Sequence, residues 1–211
     1  ELKKEQEERR ESGSTKQLGI GVATYVEVTA GPAPGGSEYG KVEITPEGKA
    51  KVYSGALSHG QSHMTTFSMI AADQLGMDIE DIEFIQGDTD VVTDGTGTWG
   101  SRSTQLGGSS VYKASERVVE KARSIAADLL EANADDIVLD KATGSFHVKG
   151  SPAINKSWAD VASTTEDLAE ETRENLLCSY PFGTHVAVVE IDIETGDVRL
   201  ERMITCDDAG R

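Results

Sequence analysis

Two glycine-rich turns hold the residues best suited to chemistry. The first is Gly55-Ala56-Leu57-Ser58-His59-Gly60-Gln61-Ser62-His63, and the second is Gly95-Thr96-Gly97-Thr98-Trp99-Gly100-Ser101-Arg102-Ser103-Thr104. Each follows a strand-like run and precedes a helix-like one. A helix start presents unpaired N–H donors and about half a positive charge. Glycine lets the backbone approach a ligand and take positive φ. Gln61 adds a neutral donor and acceptor. Gly100-Ser101-Arg102-Ser103-Thr104 adds three hydroxyls and a guanidinium, a set that suits phosphate. Two such turns in one small chain suit a large anionic cofactor. For the first turn, a tight strand–helix connection with no ligand is an equal reading; for the second, anion binding is the stronger one. Neither is a Walker loop, since the lysine and its spacing are missing, and neither is a GxGxxG fingerprint.

Other polar groups compete poorly. His59 and His63, at i and i+4, could share a helix face as metal ligands, but no third ligand is near and His59 precedes the helix. Asp88, Asp90 and Asp94 lack the spacing and terminal Glu of a calcium loop and read as turn aspartates, with Asp88 bonding its own loop. His185 opens a strand and reads as packing. No Ser/His/Asp order and no nucleophilic cysteine stands out. The residues therefore assign no catalytic side chain and no metal ligand.

The elements that must position the turns follow from periodicity. Residues 1–11 are nearly all charged or polar, either a solvated helix or a frayed end. Residues 18–28 alternate as a strand, and 31–36 form a Gly/Pro loop. Residues 41–45 and 50–55 make a hairpin over Pro46-Glu47-Gly48-Lys49. Met64, Phe67, Ile70, Ala71 and Leu75 mark a helix that Gly76 ends. Residues 82–85 form a short strand. A longer helix is expected to start at Ser109 or Ser110 as its cap and to end near Asn133, its buried stripe running through Val111, Ala114, Val118, Ala122, Ile125, Ala126 and Leu129. A hairpin (137–139 with 146–148), a short capped helix (157–162) and a final hairpin (184–193 with 198–205) complete the pattern. Residues 163–175 read as an exposed acidic loop or helix. The strand, glycine-rich turn and helix sequence occurs twice, at 50–75 and 82–131. The fold expected is α+β, a mixed sheet with two main helices packed on it.

Composition narrows the class. The chain has 211 residues, net charge −17, 37% hydrophobic content and 22 glycines, so it reads as globular and loop-rich. Such acidity repels phosphate backbones and anionic lipid, which argues against nucleic-acid and membrane partners. It fits a salt-rich cytoplasm or ordinary solubility charge. No run of ~18 apolar residues and no secretory h-region is present. Cys178 and Cys206 fit no zinc or iron–sulfur spacing, and a reduced cytoplasmic compartment is expected. Cys206 lies in an apolar run and reads as a core residue. The chain opens on Glu1 rather than Met and stops just after a strand-like run, which sets the expectation of a piece of a longer polypeptide.

Five stretches, in order, resemble the molybdopterin-binding large subunit of the xanthine dehydrogenase family. They are most similar to its aerobic carbon monoxide dehydrogenase and aldehyde oxidoreductase branch. They are Gly19-Ile20-Gly21-Val22-Ala23-Thr24-Tyr25-Val26-Glu27, Gly60-Gln61-Ser62-His63-Met64-Thr65-Thr66-Phe67, Gly87-Asp88-Thr89-Asp90, Gly97 through Thr104 in the second turn, and Tyr180-Pro181-Phe182-Gly183-Thr184-His185-Val186-Ala187-Val188-Val189-Glu190-Ile191-Asp192; Asp207-Asp208-Ala209-Gly210-Arg211 also fits. The resemblance implies a molybdenum hydroxylase that oxidises an aldehyde, an N-heterocycle or CO with oxygen from water. It implies molybdopterin, carried by bacterial members as the cytosine dinucleotide. It also implies electron transfer to an iron–sulfur small subunit and a flavin (FAD) medium subunit. By the same resemblance Gly60 and Gln61 lie near the molybdenum, and Gly100, Ser101, Arg102, Ser103 and Thr104 cradle the pterin and phosphate.

The departures are specific. The family commonly has glycine at position 62 and often glutamate at position 64, where Ser62 and Met64 stand. Its catalytic glutamate lies in a GxGE-like motif that does not occur here, so these residues alone are expected not to catalyse. On this reading 1–15 is a charged end or linker, and 16–211 is a partial molybdopterin-binding domain of a larger subunit. The runner-up is a non-catalytic assembly or anion-binding module of the same fold.

Overall fold

The computed structural model describes residues 1–30, 36–208 and 210; most of the loop expected over 31–36 lies outside them. The chain divides into two compact units, Glu1–Thr29 with Ser179–Arg211, and Ala30–Cys178.

In the first unit, α1 (Leu2–Glu11) precedes β1 (Lys16–Val26), and β9 (Phe182–Asp192) and β10 (Val198–Asp208) form the late hairpin. The strands make an antiparallel sheet in the order β1-β9-β10. Residues 1–11 are thus helical, and the helix is tied to the sheet by two long polar side chains. Gln6 Nε2 donates to the Leu18 carbonyl at 2.7 Å, and Arg9 reaches Glu190 at 2.7 Å. Tyr25, Gly183 and Asp207 share one register row across the three strands. Gly183 leaves room for the Tyr25 hydroxyl to donate to Asp207 Oδ1 at 2.9 Å, and His185 Nε2 meets the same oxygen at 2.8 Å. These bonds, His185's first, hold the Asp207 carboxyl below its usual range. His185 thus sits in a polar network rather than in apolar packing. Cys206 is exposed on β10, not in a core, because every residue of that edge strand is exposed.

The second unit carries the glycine-rich turns. Its main sheet has the order β4-β3-β2-β8, from β2 (Glu38–Ile44), β3 (Ala50–Ser54), β4 (Ile82–Gln86) and β8 (Ala169–Glu174). β2 and β3 are the expected hairpin, and β3 pairs with β4 in parallel, the connection being α2 (His63–Leu75). α2 and the long α3 (Ser109–Leu129) pack on this sheet, which makes the mixed sheet with two helices that the sequence predicts. Val42, Val52, Phe67, Ala71, Leu75, Val111, Ala114 and Val118 are all fully buried in one cluster. At about 1.5–3 kcal/mol for each large apolar side chain, this cluster is the main source of cohesion. The remaining strands, β5 (Ile137–Asp140), β6 (Ser145–Val148) and β7 (Asn155–Ser157), form a small antiparallel sheet followed by α4 (Trp158–Ala162). Ser157 and Asp160 close a capping box there.

Three expectations are corrected. Neither Ser109 nor Ser110 caps α3, because the helical path begins six residues earlier in a π-helical turn over Ser103–Gly108. Ser110 instead donates to the Glu38 carbonyl at 2.6 Å and accepts from Glu174 N, joining β2 to β8. α3 ends at Leu129, and Asn133 caps the next 3₁₀ turn with its side chain. The acidic stretch 163–175 contains a strand, β8, because β2 offers it an open edge and Thr172 donates to the Ser110 carbonyl. Its charged residues suit an edge position.

Trp158 joins the small sheet to α2. Its indole N–H donates to the Leu75 carbonyl at 2.9 Å, and its ring meets Phe146 edge-on at 4.8 Å. Trp158→Phe removes the donor and leaves that buried carbonyl unpaired, so a loss of about 2–3 kcal/mol in urea unfolding is expected.

Candidate functional site

The first turn leaves β3 and enters α2. Ser54 Oγ accepts from Ala56 N at 3.1 Å, and Gln86 at the end of β4 accepts from Ser58 N at 3.0 Å. Gln61 Oε1 accepts from His59 N at 2.7 Å, so its NH₂ is the group it offers outward. Ser62, the residue before α2, is left-handed at φ 60° and makes no side-chain cap. A Cβ in this conformation costs about 1–2 kcal/mol, whereas glycine takes it freely.

The second turn is reached from β4 through residues 87–94. Asp88 Oδ1 accepts from Asp90 N at 3.0 Å and so bonds its own loop. Asp94 pairs with Arg173 of β8 at 2.6 Å, and that hydrogen bond holds its carboxyl below the usual range. Gly55 and Gly95 then bring the two turns together. A Cβ on either would stand 2.4 Å from the other's Cα. The chain can cross itself there only as glycine on glycine.

The result is one cleft of about 430 Å³, lined by His59, Gln61, His63 and the run from Thr98 to Thr104. The two turns that the sequence sets about 40 positions apart thus line one cleft. Gly97, Gly100 and Ser101 all have positive φ, as does Gly60. A Cβ on Gly60, Gly97 or Gly100 would meet no protein atom within 4 Å. Ser103 Oγ donates to Thr98 Oγ1 at 3.2 Å, and Trp99 is exposed with its Nε1 bonded to the Thr96 carbonyl at 3.0 Å.

Two side chains of the cleft are held by bonds inside the protein. His63 is buried, bonds the Ala56 carbonyl through Nδ1 and stacks on Phe67, so it packs rather than shares a helix face with His59. Arg102 is not open to solvent. It is 2% exposed, and its guanidinium bonds Glu38 at 2.7 Å, the Gly97 carbonyl at 2.9 Å and the Ser37 carbonyl at 2.7 Å. Nothing in the sequence singles out Glu38. It is one acid among many, 64 positions from Arg102, and no local signal marks it. A larger groove of about 680 Å³ lies along α3 between Gln74, Glu116 and Lys141, away from both turns and ringed by charged side chains of both signs. It offers no convergent polar set of the kind that the turn cleft has.

Gly55→Ala should lower stability by about 2–3 kcal/mol, because the new methyl strikes backbone on the facing turn; thermal melting measures this. Ser62→Gly should raise stability by about 1 kcal/mol by relieving the left-handed strain, read as a higher melting temperature.

The family model of the molybdopterin cofactor-binding domain matches residues 1–211. The carbon monoxide dehydrogenase large chain of Hydrogenophaga pseudoflava is 35% identical over 96% of this chain and 27% of its own length. The 6-hydroxypseudooxynicotine dehydrogenase complex subunit gamma of Paenarthrobacter nicotinovorans is 34% identical over 98% of this chain and 27% of its own. A crystal structure of the Cu,Mo-CO dehydrogenase superposes with a TM-score of 0.86 at 30% identity, over 99% of this chain and 29% of that one. The chain therefore spans about a quarter of the length of the curated relatives it matches. Matched along its whole length, with its two glycine-rich turns closing on one cleft, the chain belongs to the molybdopterin cofactor-binding domain family, as a segment like those of molybdenum–molybdopterin large subunits.

Proposed function

We propose that this segment seats the molybdenum–pterin cofactor of a molybdenum hydroxylase large subunit. The observation that carries the reading is the single cleft between the two glycine-rich turns. Its lining fits an anionic, polar ring system. None of the ten lining residues is acidic, in a chain with 37 Asp and Glu among 211 residues. Its walls carry backbone, hydroxyl, amide, imidazole, indole and guanidinium groups, and Gly60, Gly97 and Gly100, all at positive φ, leave open space where a Cβ would stand.

In this reading Gly60 and Gln61 hold the molybdenum end, with the Gln61 NH₂ as donor. Gly100, Ser101, Ser103 and Thr104 hold the pterin and phosphate, and Arg102 supports them from beneath. The cofactor is the cytosine dinucleotide form. When bound, it supplies the two-electron redox chemistry for hydroxylating an aldehyde, an N-heterocycle or CO with oxygen from water. An iron–sulfur small subunit and a flavin medium subunit complete the complex. Relatives named as a large chain and as a subunit of a complex support that assembly. Their names cover CO and 6-hydroxypseudooxynicotine at like identity, so this segment contributes the cofactor seat rather than the choice of substrate.

The test uses the full-length polypeptide purified from its native source. It should contain molybdenum and pterin in near-equal amounts and release CMP on acid hydrolysis. A joint Gln61→Ala, Ser103→Ala substitution should lower molybdenum and pterin by on the order of tenfold, the expected cost of lost charge-assisted donors. Undiminished content in that variant, or a native protein without molybdenum, would overturn the reading.

A further inference from the structure

We infer that Glu38 is the positioning residue of the cofactor cleft, acting through Arg102. This rests on the reading of the cleft as a molybdenum–pterin seat.

Glu38 is the first residue of β2 and is 1% exposed. Its carboxylate lies outside the cleft lining, yet much of the second turn is tied to it. Oε2 accepts from Arg102 at 2.7 Å and from Thr96 Oγ1 at 3.2 Å. Thr96 N approaches both oxygens at 3.3 Å, and Oε1 also accepts from Tyr39 N at 2.9 Å. Arg102 spends its remaining bonds on the carbonyls of Gly97 and Ser37, and its guanidinium lies 5.2 Å from the centre of the Trp99 ring. The Glu38 carboxylate, with the neighbouring Ser37 carbonyl that accepts from Thr96 Oγ1 and from Arg102 at 2.7 Å each, thus fixes residues 96–102 at two points, Thr96 and Arg102. The segment between them, 97–101, supplies four of the ten lining residues.

Two consequences follow. The positive charge that makes Arg102 look like a phosphate ligand is cancelled inside the protein. The turn therefore meets its anion through backbone N–H groups and hydroxyls, whose directions Glu38 sets. Without the carboxylate, a buried guanidinium loses its counter-charge, and Thr96 and Arg102 keep only their bonds to the Ser37 and Gly97 carbonyls.

The test measures molybdenum by elemental mass spectrometry and pterin by the fluorescence of its oxidised form, per full-length natively expressed polypeptide. Glu38→Gln should lower both by on the order of 10–100-fold, the range typical of lost supporting contacts around a metal site. Glu38→Asp keeps the charge and should retain clearly more than Glu38→Gln. The double variant Glu38→Gln, Arg102→Met removes both charges, so it should melt close to wild type and yet remain depleted. Wild-type content in Glu38→Gln, wild-type content in the double variant, or no advantage of Asp over Gln would overturn the inference. If the Glu38 variants stay full while the Gln61, Ser103 variant is empty, only the role of Glu38 fails. If that variant is full as well, the cleft reading itself fails.

Discussion

A carboxylate and a guanidinium 2.7 Å apart, both almost fully shielded from water, impose the central constraint on the second unit. Such a pair persists only when nearly every lone pair and proton finds a partner, because the desolvation cost rivals the Coulomb gain. The partners here are backbone groups of Ser37, Tyr39, Thr96 and Gly97 and the hydroxyl of Thr96. Satisfying the pair therefore draws a loop 58 to 64 residues away in sequence onto the first strand of the sheet. The rest of the site follows. With 96–102 held there, residue 95 is pressed against residue 55, and only glycine is small enough at both positions. Immediately afterwards Gly107 and Gly108 bring the start of the helical path against Phe67 and Ile70 of α2.

Strain is concentrated where the site is. Four residues other than glycine have positive φ among the described residues. Ser62 and Ser101 lie in the two turns, and Ala30 donates its N–H to the Gly100 carbonyl. A π-helical turn, a form often associated with functional sites, begins inside the second turn at Ser103. The buried core of α2, α3 and the four-stranded sheet makes such backbone tolerable, since it holds both turns at their ends while their middles face the cleft.

Electrostatics work in the same direction. The chain is strongly acidic, but its cleft has no acidic lining, and its one guanidinium is paired internally. An anion held there is met by dipoles rather than by net charge. Such a site is less weakened by salt than an exposed cluster of lysines and arginines would be.

By itself the sequence determined the local elements and the resemblance. Hydrophobic spacing marked α2 with Gly76 at its end, the buried stripe of α3, both long hairpins and the capped α4, because these are set by neighbours within a few residues. The glycine, glutamine and hydroxyl residues of the turns were also legible, since their chemistry is carried by residue type. Tertiary structure alone decided the rest. It placed the two turns on one cleft, paired the Arg102 guanidinium with Glu38, made β8 a strand, and exposed Cys206 on an edge. In each case the deciding partner lies far along the chain or is an open sheet edge, and neither leaves a trace in local pattern. Ser62 lies between the two. The resemblance sets glycine as the expectation there, and only the folded chain shows φ 60° at Ser62, a conformation that glycine takes freely.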